Sequence, residues 1–128
     1  LTDLGSYKQH TITNVAVISY SGEKKEPIRS AKGVLLRDIL NKAGIVFDEK
    51  RDFNRTLIRA SATDGFQTLF TWHEIFNSEA GNHIFILTEK DGKPLPPKEA
   101  DFMLISTTDL KTGPRHVRWL KSIEVLKL

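Results

Sequence analysis

The sequence predicts an α+β domain built on a mixed β-sheet with short helices. Three observations carry this. Segments of β-branched and apolar residues with strand character outnumber helical ones, one segment holds an apolar stripe at helical spacing, and no repeat, linker or low-complexity tract divides the chain. A length of 128 residues is that of one domain, spanning 1–128.

Between Thr11 and Tyr20, β-branched residues occupy both alternating sets, which predicts a buried strand. The polar run Ser21 to Pro27 predicts a loop, with extended chain resuming at Ile28. From Val34, the residues Leu35, Leu36, Ile39, Leu40 and Ala43 recur at helical spacing, and Gly44 supplies a C-terminal stop. The charged stretch Phe47 to Asn54 predicts a loop. Thr56 to Ser61 and Gln67 to Phe70 flank Asp64-Gly65 as a hairpin. Thr71 and Glu74 have the spacing of a capping box, so a short helix opens there and runs toward Asn77. Ile84 to Thr88 reads as a buried strand leaving through the turn Asp91-Gly92. Pro94, Pro96 and Pro97 hold an extended connection that neither a helix nor a central strand tolerates. Phe102 to Ser106 and Ile123 to Leu128 complete the strands.

Composition narrows the chemistry. The chain has 39% apolar and 27% charged residues and a mean hydropathy of −0.31, in the globular range. No apolar run approaches the roughly 20 residues of a membrane span. The absence of cysteine removes disulfides, thiolate metal sites and thiol nucleophiles. His10, His73, His83 and His116 form no paired metal-ligand spacing, so no metal site is predicted, and Asp64 and Asp91 read as turn residues. No nucleophile elbow, Walker loop or dinucleotide fingerprint is present, and no catalytic residue is assigned. The net charge of +3 and pI of about 9.2 fit weak nucleic-acid binding, an anionic ligand or neither in particular, and no recognised nucleic-acid motif is present. A first residue of Leu1 in place of methionine raises the expectation that an upstream stretch was removed, either a signal peptide, which would make the protein exported to the periplasm or envelope, or part of a longer chain; the lack of cysteine is compatible with export.

The segment Lys111 to Lys121 stands apart, with four basic residues, no acid, a Gly-Pro bend and a histidine. Gly113 can present backbone N–H groups to an anion, Arg115 and Arg118 offer planar forks to phosphate oxygens, and Trp119 offers a stacking face. A solvated basic loop has the same composition.

Four stretches in order resemble the molybdopterin-binding domain of the sulfite oxidase family. Gly33-Val34-Leu35-Leu36-Arg37-Asp38-Ile39-Leu40 with Ala43-Gly44-Ile45 is similar to its G-V-x-L-x-D-x-L…A-G-V helix, and Ala62-Thr63-Asp64-Gly65-Phe66 to its A-x-D-G-Y hairpin. Ile86 to Pro96 resembles L-L-A-x-x-x-N/D-G-x-P-L-P, and Gly113 to Ile123 resembles the closing G-x-R-x-V-K-W-L-x-x-I. The likeness covers about residues 15–128. It implies that fold, molybdopterin as the cofactor, and Gly113, Arg115, His116 and Arg118 as the cofactor-binding positions.

The chain departs from the family at its catalytic features. The family's molybdenum is held by a cysteine that would fall near Ile18 to Ser21, where Ser19 or Ser21 takes its place. A neutral hydroxyl is a poor substitute for a soft thiolate. Phe66 stands where the hairpin often has tyrosine, and Met103 where the family has an arginine; the family's H-G pair is absent from Lys98-Glu99-Ala100-Asp101. These departures imply a stand-alone homologue that binds a small anionic, pterin or phosphate-like ligand or a partner protein without redox catalysis. The alternative is a molybdopterin-dependent oxidoreductase, or a subunit of one, that holds its cofactor without a protein thiolate.

Overall fold

The computed structural model describes residues 4–45, 47, 49–94 and 102–128. Among the described residues eight strands form two sheets. The first contains β1 (His10–Ile18), β2 (Lys24–Leu35), β5 (Ile84–Lys90), β6 (Lys93–Pro94) and β7 (Met103–Ser106), ordered β1-β2-β5 with β6 and β7 both pairing β5. The second is β4 (Gln67–Thr71), β3 (Thr56–Ala62) and β8 (Leu120–Lys127), with β3 central.

The expected α+β class with a mixed sheet is not what forms. Among the described residues strands take 47% and helical turns 25%, and all six strand pairings are antiparallel. This is a β-rich domain with few short helices. The reason lies in the connections. A parallel pair needs a crossover that returns to the same sheet, usually through a helix. Here α1 (Leu36–Ala43) leaves β2 and leads to β3 in the other sheet, and α2 (Trp72–Phe76) leads from β4 back to β5. Each helix links two sheets, so neither can generate a parallel neighbour.

Local chemistry explains most boundaries. Val34 and Leu35 stay in β2, opposite Ile86 and Phe85, so α1 opens two residues later than its apolar stripe begins. Leu36 and Leu40 bury one face, and Gly44 ends the helix at φ 67°, the left-handed region that glycine enters without penalty. The capping box of α2 is present on both sides, with the Thr71 hydroxyl accepting from Glu74 N–H (3.1 Å) and the Glu74 carboxylate from Thr71 N–H (3.0 Å). Lys50–Arg55, expected as loop, is a 3-10 turn closed by a second box, in which Glu49 N–H donates to the Asp52 carboxylate (3.2 Å). Asp91 and Gly92 turn β5 into β6, both at positive φ. Pro96, Pro97 and Lys98 to Asp101 lie outside the described residues.

Two apolar clusters account for the unbroken runs at Ile84 to Leu87 and Met103 to Ile105. Ile84, Ile86 and Leu104 face the second sheet and helices, among Ile58, Ala60, Phe70, Leu36, Leu40 and Ile75. Phe85, Leu87, Met103 and Ile105 alternate onto the other face, in one cluster with Val15, Val17 and Ile28. A sheet buried on both faces loses the polar alternation that otherwise marks a strand. β1, by contrast, is an edge strand in which only Val15 and Val17 are buried, and its pairing shifts register between those residues.

Candidate functional site: a cavity between two hairpins

Residues 112–119 form one wall of a cavity, and tertiary bonds fix their course. Thr112 is buried; its hydroxyl donates to the Ala16 carbonyl and accepts from Ile18 N–H, both at 2.9 Å, which ties the segment to the end of β1. Gly113 follows at close quarters. A Cβ there would lie 2.8 Å from the Ile18 carbonyl oxygen and 3.2 Å from Ser19 Cα, so any side chain would force the two strands of chain apart. After the 3-10 turn Gly113–Arg115, Val117 exchanges backbone hydrogen bonds with Leu104 (both 2.8 Å) and buries its side chain completely. Extended chain alternates its side chains. With Val117 in the core, His116 and Arg118 both line the cavity.

The cavity has a volume of about 560 Å³. Its second wall is the end of the β1–β2 hairpin, contributing Val17, Ser19, Tyr20 and Lys25. That turn is closed by Ser19 N–H to the Glu23 carbonyl (2.9 Å) and Gly22 N–H to the Ser19 carbonyl (2.9 Å). The third wall is the β3–β4 turn, contributing Ala62, Asp64 and Phe66. There the Asp64 carboxylate accepts from Phe66 N–H (3.0 Å), and Thr63 N–H donates to the Trp119 carbonyl (3.0 Å), docking the turn on the first wall.

Three aromatic rings (Tyr20, Phe66, Trp119) and three basic side chains (Lys25, His116, Arg118) therefore meet one acid, Asp64, around a single concavity. Burial, and then the charges of Arg118 and Lys90, push the His116 imidazole down to about 4. At neutral pH it is uncharged, and its buried Nε2 has no hydrogen-bond partner among the described residues. A buried polar atom left this way is costly unless something pairs with it.

Of the four positions implied by the family resemblance, Gly113, His116 and Arg118 line this cavity and Arg115 does not. The Arg115 guanidinium is spent within the fold. Nε and Nη2 donate to the Asp109 carboxylate (2.8 and 2.7 Å), and Nη1 donates to Glu74 (3.0 and 3.3 Å) and the Leu69 carbonyl (3.3 Å). Its carbon lies 4.4 Å over the Phe70 ring. Arg115 thus joins the capping box of α2 to the loop before the cavity wall as an internal clamp. Tyr20 and Lys25 carry no signal of the site in the sequence, since they sit at a strand end and inside a polar run, and only their approach across the β1–β2 hairpin gives them a common cavity.

No protein-family model matches the chain, and no curated protein matches it either. The donor set can nonetheless be tested against the cofactor implied above. Basic and aromatic side chains with an unpaired imidazole nitrogen fit the anionic organic part of a phosphorylated pterin. They do not fit its metal. The sequence contains no thiolate donor, and the described residues hold no group of three His, Asp or Glu suited to a metal ion. The Ser19 hydroxyl is held in its own turn, accepting from Glu23 N–H (3.1 Å) and lying 3.1 Å from Ser21 Oγ.

Proposed function

We propose that the domain is a non-redox relative of the molybdopterin-binding domain of the sulfite oxidase family, and that its cavity binds a small anionic ligand of the pterin or phosphate kind. The supporting observation is the convergence of Lys25, His116 and Arg118 with Tyr20, Phe66 and Trp119 from three distant segments onto one cavity. Arg118 and Lys25 supply charge and donors for an oxyanion, and Trp119 and Phe66 supply faces for a flat ring. Neutral His116 donates or accepts at Nε2 according to its tautomer. No metal-centred step is assigned, because no residue here supplies the family's soft ligand.

The test is thermal denaturation with inorganic phosphate and, separately, with a pterin bearing a phosphomonoester. A ligand at a hundred times its Kd stabilises by about 2.7 kcal/mol, and Arg118→Ala and Lys25→Ala should remove that gain. In NMR titrations, an anion that offsets Arg118 should also raise the His116 pKa from about 4 toward its ordinary value. Absence of stabilisation by either compound would refute the ligand assignment. Molybdenum and a fluorescent oxidised pterin released from protein made in molybdenum-replete cells would support the oxidoreductase alternative.

A further inference from the structure

We infer that the outer lip of the cavity is a docking surface for an acidic, apolar-bearing segment of a partner protein, with Leu110 and Lys111 at its centre and Tyr20 beside them. Leu110 is 92% exposed and Tyr20 81% exposed. Isolated exposed apolar residues are ordinary, but these two are mounted in an unusual way. Leu110 and Lys111 are the two residues between a pair of anchors. On one side the Asp109 carboxylate takes two hydrogen bonds from Arg115 and one from Ser106 Oγ (3.0 Å). On the other, Thr112 is bonded to both Ala16 and Ile18. Tyr20 rides on the closed Ser19–Glu23 turn, and the Lys111 ammonium sits 5.2 Å from the centre of its ring, joining the two mounts. Apolar groups displayed on tethered backbone lose little further freedom when a partner covers them.

Charge selects the partner. Lys111 and Arg118, from one segment, and Lys25, from β2, come to this lip, Arg118 and Lys25 lining the cavity with Tyr20. The acids nearby are already engaged. Asp109 is held by Arg115, Glu23 lies 3.4 Å from Lys25, and Asp64 accepts from its own turn on the opposite wall. Among the described residues Lys111 and Arg118 are left with no acid paired to them, while Lys25 is matched by Glu23, and this positive charge beside apolar contacts is what an acidic segment with apolar side chains complements. A second copy of the chain is disfavoured, because a two-fold contact would set Lys111 against Lys111. A lipid surface is disfavoured as well, since its headgroups are recognised by larger clusters of about 4–8 basic residues. This inference does not rest on the ligand reading, because neither Leu110 nor Lys111 lines the cavity.

The experiment immobilises short peptides in which Asp or Glu alternates with Leu, Val, Phe or Tyr, beside matched sets with Ser or Lys replacing the acids. The full chain should bind the acidic set at least about tenfold more tightly than the serine set, a difference of about 1.4 kcal/mol. Leu110→Ser and Lys111→Glu should each erase that preference and leave any phosphate-induced thermal shift unchanged. Both side chains point to solvent, so both variants should keep the wild-type melting temperature. Equal binding to acidic and serine peptides, or undiminished binding by the variants, would overturn the inference. So would dimerisation abolished by Leu110→Ser, or tighter binding to phosphatidylserine–phosphatidylcholine vesicles in equal parts than to the acidic peptides.

Discussion

Replacing Arg115 with methionine should unfold the domain at markedly lower urea without emptying the cavity of its charged groups. Methionine keeps the apolar cover over Phe70 and removes only the guanidinium. The partners left behind are Asp109, which loses its two bonds from Arg115, and Glu74, which loses two. Breaking a fully buried ion pair from one side costs roughly 3–5 kcal/mol, whereas exposed pairs are worth about 0–1 kcal/mol. Here the side chains are 22% (Arg115), 17% (Asp109) and 34% (Glu74) exposed, between those limits but nearer the buried one. A loss of about 2–3 kcal/mol follows, and with a urea slope of about 1.5 kcal/mol/M the midpoint should fall by about 1.3–2 M. Urea is the proper denaturant, because guanidinium chloride would screen the pairs being measured. Arg115→Lys, which keeps the charge and loses the planar fork, should recover only part of the difference. A loss below about 0.5 kcal/mol would class these contacts with surface pairs and refute the clamp.

Gly113→Ala should lower stability by about 1–3 kcal/mol, the usual range for overpacking, because its methyl group meets the Ile18 carbonyl oxygen and Ser19 Cα; calorimetry checks this. Between about pH 6.5 and 4 the unfolded chain takes up a proton that buried His116 refuses. Stability from this group is therefore complete above 6.5 and falls by up to about 3 kcal/mol as the pH drops to 4, and His116→Gln should flatten that part of the urea-midpoint profile. Asp52 is held below the ordinary carboxylate range, first by its hydrogen bond from Arg55 (2.6 Å), with further help from Lys127 and Glu49 N–H. Its contribution is present above that range and lost as acid protonates it, so Asp52→Asn should be less stable at neutral pH and converge with wild type in strong acid.

What the sequence discloses and what it hides divides along physical lines. Features set within a few residues are legible. The stripe and glycine stop of α1, the Thr71–Glu74 box and the Asp64-Gly65 hairpin all depend on neighbours in the chain, and all form. Sheet class is not legible in the sequence, because strand direction depends on where a connection lands. The passage from β2 through α1 to β3 looks the same in sequence whether it returns to one sheet or enters another. Within Phe47 to Asn54 the sequence reads as loop, because a 3-10 turn capped by Glu49 and Asp52 has no apolar stripe to announce it. At the site, the basic segment was visible as composition. The partners that bring Tyr20, Lys25 and Phe66 to it were not, since each reaches the cavity only through sheet pairing.

The contrast between Arg115 and Arg118 shows why composition alone cannot assign a basic segment. Three residues apart and chemically identical, they differ in what precedes them. Arg115 closes a 3-10 turn whose Thr112 anchor aims it at Asp109 and Glu74, and there it is neutralised. Arg118 follows Val117, whose bridge to Leu104 imposes extended geometry and turns its neighbours toward the cavity. The same bridge carries His116 to the same side, where Arg118 helps keep the imidazole neutral. The fold uses the first arginine to hold the wall in place and leaves the second free to act from it. An anion drawn to Arg118 would therefore meet a surface already ordered by the Thr112 anchor, the Val117 bridge to Leu104 and the Arg115 clamp rather than by the ligand.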